Sequence, residues 1–338
     1  MQQISQHLCR GNPLWLPSFS GQARGPAPTR FPSPLPIHGA FFRAHKFYGL
    51  AFCIAMLCLA FPPSGRTQET RADLAKKGEY IFAVAGGCGC HTVPKKTPHV
   101  GGRAFPIPMG TAYSTNITHD KETGLGNWPD QQIHDAMVKG IRPSGERLLP
   151  LMPYEAYSGM ADEDMKALIA YLRTLKPGRY QNIREKVYAP FLRSIATPLW
   201  LKVFGRFHSP PAQAPASGLE RGRYLVEHVS LCGDCHTPRN FLGVPNRSLY
   251  LAGAKDGPLG EEIPNITPDK QTGVGEWTRE NIADFLTTGV KPDLDNVQGL
   301  MAEVIEGTPL GYKNMKKEDA LAIADYIKSI PPIQNKIK

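Results

Sequence analysis

Apolar side chains recur at helical spacing in two separate stretches of the chain, with Gly- and Pro-rich loops around them. Each stretch predicts an opening helix, a short middle helix and a final helix. The middle and final helices are predicted over 129–138, 278–287, 162–175 and 318–329. No alternating apolar pattern of strand length stands out. The pattern therefore predicts a mainly α fold.

Residues typical of helix ends accompany these stretches. Pro177 and Pro331 follow the two final helices, which they end because proline has no amide donor. Ser217 and Glu220 have the spacing of a capping box, in which each side chain accepts a hydrogen bond from the other residue's amide. This pair predicts the start of the second opening helix.

The two stretches are copies of one module. Gly78 and Tyr80 recur 144 positions later as Gly222 and Tyr224. The pairs that lie 149 positions apart include Asn116-Ile117-Thr118 with Asn265-Ile266-Thr267, Trp128 with Trp277, and Met152 with Met301. Self-similarity at a fixed period indicates a duplicated unit. We predict modules over 72–178 and 217–331, a linker over 179–216 and a tail over 332–338.

The first 71 residues have a different character. Residues 1–44 are rich in Pro, Ser, Gly and Arg and are predicted to be unfolded. Basic residues then precede an apolar run over 47–61, which Pro62 and Pro63 close. This order is typical of a signal peptide, although a retained N-terminal anchor or a buried core helix also fits. Export predicts a periplasmic protein, either soluble or on the periplasmic face of the inner membrane.

Charge and composition exclude one function. The formal net charge is +9, but the first 71 residues hold seven Lys and Arg against one acidic residue, Glu69. The modules carry no run of basic residues interleaved with aromatic ones, so nucleic-acid binding is not expected. The first part of the linker is apolar, which fits either a connector packed on both modules or a docking surface for a partner.

Four of the seven cysteines lie outside the N-terminal segment. The sequence Cys232-Gly233-Asp234-Cys235-His236 has the C-x-x-C-H spacing of c-type haem attachment, in which two thiols bond the haem and the histidine binds iron. A structural zinc site would need a second Cys or His pair nearby, which the following stretch does not offer. We predict a haem here.

The first module has a shorter motif, Cys88-Gly89-Cys90-His91. The offset between modules changes from 144 at Cys88 to 145 at Cys90, so one residue is missing between the two thiols. Our hypothesis is that haem attaches through Cys90 with His91 as iron ligand, while the Cys88 thioether is strained or absent. A first site that binds no haem is the alternative.

The sixth iron ligand is predicted from the repeat. A thioether ligand has to come from elsewhere in the module, and Met152 and Met301 lie in matched loops before the final helices. The methionines without a counterpart are expected in the core, namely Met109, Met137, Met160 and Met165. Trp128 and Trp277 fit either core packing or contact with the haem edge. The N-x-T patterns at Asn116 and Asn265 are better explained by repetition of the whole loop than by glycosylation.

The stretches STNITHDKETGLGNW, LPLMPY, RGRYLV, CGDCHTPRN and GLMAEV resemble class I cytochrome c domains in tandem, as in the cytochrome subunits of bacterial membrane-bound alcohol, aldehyde and gluconate dehydrogenases. The resemblance implies a mainly α fold and two haems c. It implies His91 and His236 as proximal ligands, Met152 and Met301 as distal ligands, and Cys88, Cys90, Cys232 and Cys235 as attachment points. Those subunits typically have a third module, which this chain lacks.

The function expected from these features is outer-sphere electron transfer. A dehydrogenase subunit would be the donor, and a quinone, an oxidase or another cytochrome the acceptor, with membrane association as an option. One alternative is a haem enzyme of thiosulfate or peroxide chemistry, with a specialised haem at the altered motif. Another is a sensor or scaffold in which haem is structural.

Overall fold

A computed structural model describes residues 70–183, 186–187 and 191–337, and the predicted signal peptide or anchor lies outside them. In this part of the chain each module is built from helices, and a further helix lies in the linker. The first module has α1 (Arg71–Val84), α2 (Asp130–Lys139), α3 (Tyr154–Tyr157) and α4 (Asp162–Leu172), and the linker has α5 (Thr197–Phe204). The second module has α6 (Gly218–Tyr224), α7 (Cys232–His236), α8 (Arg279–Thr288), α9 (Gly299–Glu306) and α10 (Lys317–Ser329).

The first and last helices of each module cross at a glycine. A Cβ atom on Gly78 of α1 would lie 1.8 Å from the carbonyl oxygen of Ala167 in α4, and one on Gly222 of α6 would lie 1.8 Å from that of Ala322 in α10. No side chain fits at that distance. The repeated glycines therefore allow the two helices of each module to approach backbone to backbone, and one apolar core extends across both modules.

The mainly α prediction is confirmed, and the middle and final helices lie close to the predicted spans. The capping box predicted at Ser217 is wrong, because the Ser217 side chain makes no capping hydrogen bond. Gly218, the first residue of α6, has a left-handed φ of 71°, so this helix begins with a different backbone geometry. Capping boxes occur instead at Thr70 with Asp73 and at Thr278 with Asn281.

The first module and the linker also contain strands that the sequence did not predict. β1 (Ala104–Ile107) and β2 (Gly110–Tyr113) form an antiparallel hairpin, and β3 (Lys186–Val187) pairs with the start of β2. The strands have at most four residues and β1 contains a proline, so their apolar alternation is too short to detect. Ala112 of β2 packs with Leu149 in a small apolar cluster separate from the main core.

A buried carboxylate joins the second module to the first. Asp319 of α10 accepts two hydrogen bonds from the Arg221 guanidinium, at 2.9 and 2.8 Å. It also accepts one, at 2.6 Å, from the hydroxyl of Tyr80 on α1 of the other module. The same hydroxyl accepts a hydrogen bond from the Lys316 amide. Burial disfavours ionisation of Asp319, but the bonds from Arg221 and Tyr80 outweigh it and lower the pKa.

The reciprocal contact uses the equivalent residues of the other copy. Tyr224 of α6 donates a 2.8 Å hydrogen bond to Asp164 of α4 and accepts one from the Ala161 amide. Lys77 lies 3.4 Å from the other oxygen of Asp164, as Arg221 pairs with Asp319. The two modules are therefore related by an approximate internal twofold, in which each first helix presents a tyrosine to the last helix of the other module.

We expect Asp319→Asn to lower the free energy of unfolding by about 3 kcal/mol at pH 7, because it leaves the buried Arg221 without its counter-charge. The depressed pKa makes this contribution complete above the ordinary carboxyl pKa, and it disappears as the pH falls through the folded-state value. Denaturant unfolding of the haem-loaded protein at pH 7 and pH 3 measures the difference.

Asp325→Asn is the matched control, since Asp325 lies on the same helix and pairs with Arg279 at the exposed surface. Its cost should stay below about 1 kcal/mol. Equal costs for the two variants would contradict the role given to Asp319.

Candidate haem sites

In the second module the predicted attachment motif forms one regular turn of helix. α7 places Cys232 and Cys235 three residues apart, so the two thiols lie on the same face, and His236 follows at the end of the helix. Burial raises the pKa of both thiols to about 12. The spacing and the helix together present two neutral thiols and an imidazole to one side.

The shorter motif of the first module cannot form the same turn. Residues two apart do not face the same side of a helix, and Gly86–His91 instead forms a tight turn interrupted by left-handed residues. Gly86, Gly87 and Cys88 have φ values of 71°, 63° and 50°. Cys88 packs against the core, whereas Cys90 is exposed. With one residue fewer between them, the two cysteines therefore lie in different surroundings.

Both histidines are oriented by a backbone carbonyl. The Nδ1 atom of His91 lies 2.7 Å from the carbonyl oxygen of Thr115, and Nδ1 of His236 lies 2.8 Å from that of Pro264. A carbonyl only accepts hydrogen bonds, so each Nδ1 carries the proton and each Nε2 keeps its lone pair. Burial lowers the pKa of both imidazoles, which keeps them neutral. This is the form that binds a metal through Nε2.

Thr115 and Pro264 lie 149 positions apart, the offset of the module repeat, so the structure repeats this hydrogen bond as well. Their side chains differ, and only the backbone oxygen takes part. Sequence reasoning did not single them out, because a comparison of side chains gives no reason to do so. The offset alone would have found them.

A matched set of apolar side chains packs on the core of each module and stays partly exposed. The four pairs, each 149 positions apart, are Ile117 with Ile266, Leu125 with Val274, Trp128 with Trp277, and Met152 with Met301. At equivalent positions in both modules, the protein covers these apolar side chains only in part. An apolar macrocycle bound against them would exclude water from the part that remains exposed. The chemistry of these residues fits the predicted haems, and the two predicted methionine ligands belong to the set.

The remaining methionines separate into two groups. Met137, Met160 and Met165 are at most 8% exposed, which confirms their predicted place in the core. Met109 is 42% exposed, so its predicted core position is wrong. It lies in the short turn between β1 and β2, and the sequence did not predict that hairpin.

The repeated asparagines act inside the fold. Asn116 is 2% exposed and its amide donates to Thr123 and to the carbonyl of Gly178, while its carbonyl oxygen accepts from Thr118. Asn265 makes the equivalent bonds to Thr272, Ile333 and Thr267. Their side chains tie the Gly-rich loop to the chain that follows the final helix. A buried amide with these partners explains the N-x-T pattern without glycosylation.

The two candidate sites lie against each other across the module interface. The Arg103 guanidinium, only about a tenth exposed, donates to the carbonyl of Gly89 within the first motif. It also pairs with Glu303 of α9, at 2.5 Å. Glu303 lies two residues beyond Met301. One side chain thus connects the attachment turn of the first module to the helix that carries the predicted iron ligand of the second.

Two glycines directly before the first motif also lie against the second module. A Cβ atom on Gly87 would lie 1.9 Å from the carbonyl oxygen of Leu310, and one on Gly86 would lie 3.2 Å from the Val304 side chain. The buried imidazole of His99 lies 3.2 Å from the Gly87 carbonyl. Sequence reasoning missed Arg103 and His99, because neither has a counterpart of the same type in the second module.

Comparison with known proteins agrees with this geometry. The family model described as Cytochrome c matches residues 75–176. A diheme cytochrome c-type protein of Cereibacter sphaeroides is 34% identical over 265 residues, which cover 77% of this chain and 87% of that protein. The chain belongs to the cytochrome c family.

Two further relatives of this cytochrome are longer than it is. The cytochrome subunit of fructose dehydrogenase from Gluconobacter japonicus is 39% identical over 260 residues, covering 75% of this chain and 52% of the relative. The cytochrome c subunit of gluconate 2-dehydrogenase from Pantoea cypripedii is 36% identical over 269 residues, covering 76% and 59%. The chain therefore spans between half and three-fifths of these relatives. Among the residues that the structure describes, no helix has both the length and the apolar character to cross a bilayer.

Proposed function

We propose that this cytochrome transfers electrons through two covalently bound haems, one in each module. The observation that carries the proposal is the repeated histidine, whose Nδ1 proton is engaged by a backbone carbonyl and whose Nε2 is available. Each bound haem would supply one-electron oxidation and reduction at its iron. The protein's part is to hold the ligands, to cover the macrocycle with apolar side chains and to fix the distance between the two sites.

The residues divide into attachment points and ligands. Cys232 and Cys235 would bond the second haem, and Cys90 the first, with a strained or absent thioether at Cys88. His91 with Met152, and His236 with Met301, would hold the two irons. With two protein ligands each, the irons would have no open position for a substrate, which supports outer-sphere transfer rather than catalysis.

The module interface supports transfer between the two sites within one molecule. Arg103 and Glu303 join the first attachment turn to α9, and the hydrogen bonds of Tyr80 and Tyr224 fix the modules to each other. Electrons would thus cross between two sites already in contact, without a docking step.

We further propose that the donor is a periplasmic dehydrogenase subunit and that the acceptor belongs to the respiratory chain, as a quinone, an oxidase or another cytochrome. The relatives that are cytochrome subunits of fructose and gluconate dehydrogenases support this assignment. A periplasmic location agrees with the apolar run over 47–61, because covalent haem attachment follows export.

The intact mass of the exported protein should exceed that of the polypeptide by two haems. Cys88→Ala should retain both haems, because Cys88 packs against the core from a left-handed backbone whereas Cys90, next to His91, is exposed. Cys90→Ala should lose the covalent haem of the first module. Mass spectrometry of the wild type and both variants, produced in a host that matures c-type cytochromes, provides the measurement. Attachment of one haem in the wild type would refute the two-haem proposal.

Met152→Ala and Met301→Ala should each remove the near-infrared sulfur-to-iron band of one haem and lower its reduction potential, since a thioether ligand raises the potential. Each variant should also bind carbon monoxide at the altered haem. Met109→Ala serves as the control, because Met109 lies at the surface. An unchanged band in either ligand variant would show that another residue binds that iron.

Electron transfer itself can be tested with the catalytic subunits of gluconate 2-dehydrogenase, freed of their own cytochrome subunit. With gluconate present, they should reduce both haems of the wild-type protein, followed by the reduced visible band. Failure of reduction, together with rapid carbon monoxide binding by the wild type, would favour a haem enzyme instead.

A further inference from the structure

The linker helix exposes an apolar stripe to solvent. Ile195, Leu199 and Val203 follow one another at intervals of four residues and are 60–62% exposed, and Phe191 before them is 55% exposed. Side chains four apart in a helix are neighbours on one face, so Leu199 and Val203 lie side by side on α5, and Ile195 precedes them in the π-helical turn that leads into α5. Contiguous exposed apolar surface of this kind marks an interaction site.

The opposite side of α5 is anchored to both modules. Leu201 is buried, and the Trp200 indole donates a 2.8 Å hydrogen bond to the carbonyl of Leu242 in the second module. The ring of Phe207 stacks on Tyr154 of the first module, with centroids 6.2 Å apart. Because contacts on one side fix the helix, the stripe is held facing outward.

The segment that carries the stripe has charge of one sign. Residues 187–219 contain no Asp or Glu. Lys202 and Arg206 are exposed and, within the described part of the chain, their side chains form no ion pair. A shallow cavity of about 440 Å³ beside α5 is lined by Lys139, Arg147 and Lys202, and by no acidic residue.

The nearest acidic side chains on neighbouring elements are already engaged. Glu155 accepts the backbone amide of Arg206, and Glu146 pairs with Arg142 and Arg193. Asp135 pairs with Lys139, one of the three cations of the cavity. The surface around the stripe therefore combines an apolar centre with a cationic edge.

We propose that α5 and its flanks, Phe191 to Phe207, rest on an anionic phospholipid surface. The apolar stripe would lie at the boundary between headgroups and acyl chains, as interfacial helices do, and the cations would contact lipid phosphates. A dehydrogenase subunit is the other possible occupant, but the absence of acidic side chains over 187–219 fits anionic lipid better. The stacking of Phe207 on Tyr154, two residues beyond Met152, places this surface beside the first module's site.

Carbene footprinting of the haem-loaded full chain tests the contact directly. A water-soluble diazirine labels exposed side chains on illumination, and mass spectrometry reads the labelling peptide by peptide. Adding vesicles of phosphatidylcholine with phosphatidylglycerol should lower labelling of the peptide over 195–207 roughly threefold or more, because an interfacial helix buries its apolar face. The peptide containing Leu294, which is 81% exposed in the second module, is the internal control.

Two double variants and one control separate the parts of the proposal. Leu199→Asp with Val203→Asp should abolish the protection, whereas Leu294→Asp should leave it intact. Lys202→Gln with Arg206→Gln should remove the advantage of phosphatidylglycerol over pure phosphatidylcholine. Because the readout is local, any other attachment of the chain to the vesicle does not affect it.

Unchanged labelling of 195–207 at saturating vesicles would overturn the proposal, as would protection that appears only with the gluconate 2-dehydrogenase catalytic subunits. Equal protection by neutral and anionic vesicles would overturn the role of charge. None of these results depends on electron transfer, so the proposed function stands or falls separately.

Discussion

A buried carboxylate on each final helix is the constraint on which the arrangement of the two modules depends. Asp164 and Asp319 are at most 7% exposed, and an isolated charge in such a place would be costly. Each is balanced by a cation of its own module and by a tyrosine hydroxyl of the other module. Separation of the modules would remove the tyrosine hydrogen bond of both carboxylates at once. The interface is therefore specific as well as apolar.

The same contact positions the haem sites. Tyr80 and Tyr224 follow the glycines at which the helices of each module cross, and the attachment motifs begin a few residues after those helices end. A hydrogen bond from Ser230 to the carbonyl of Val84, the last residue of α1, joins the two segments that lead into the motifs. The relative position of the two attachment turns thus follows from the pairing of the first helices with the last ones.

Much of this arrangement could be predicted from the sequence, but the contacts between the modules could not. The repeat marked Tyr80 and Tyr224, and the periodicity located the middle and final helices. The partners of the tyrosines could not be predicted, because Tyr80 and Asp319 are 239 positions apart and only the packing of two modules brings them together. The carbonyls that orient His91 and His236 were missed because backbone groups leave no trace in residue type.

The internal twofold is broken at the first motif, and the interface explains why the break is tolerated. In the second module Leu231 alone turns left-handed before Cys232, and a regular helical turn follows. In the first module the left-handed conformation continues through Gly86, Gly87 and Cys88. Gly87 lies so close to the Leu310 carbonyl that any side chain there would clash. The glycines before the shorter turn therefore allow it to pack directly on the second module.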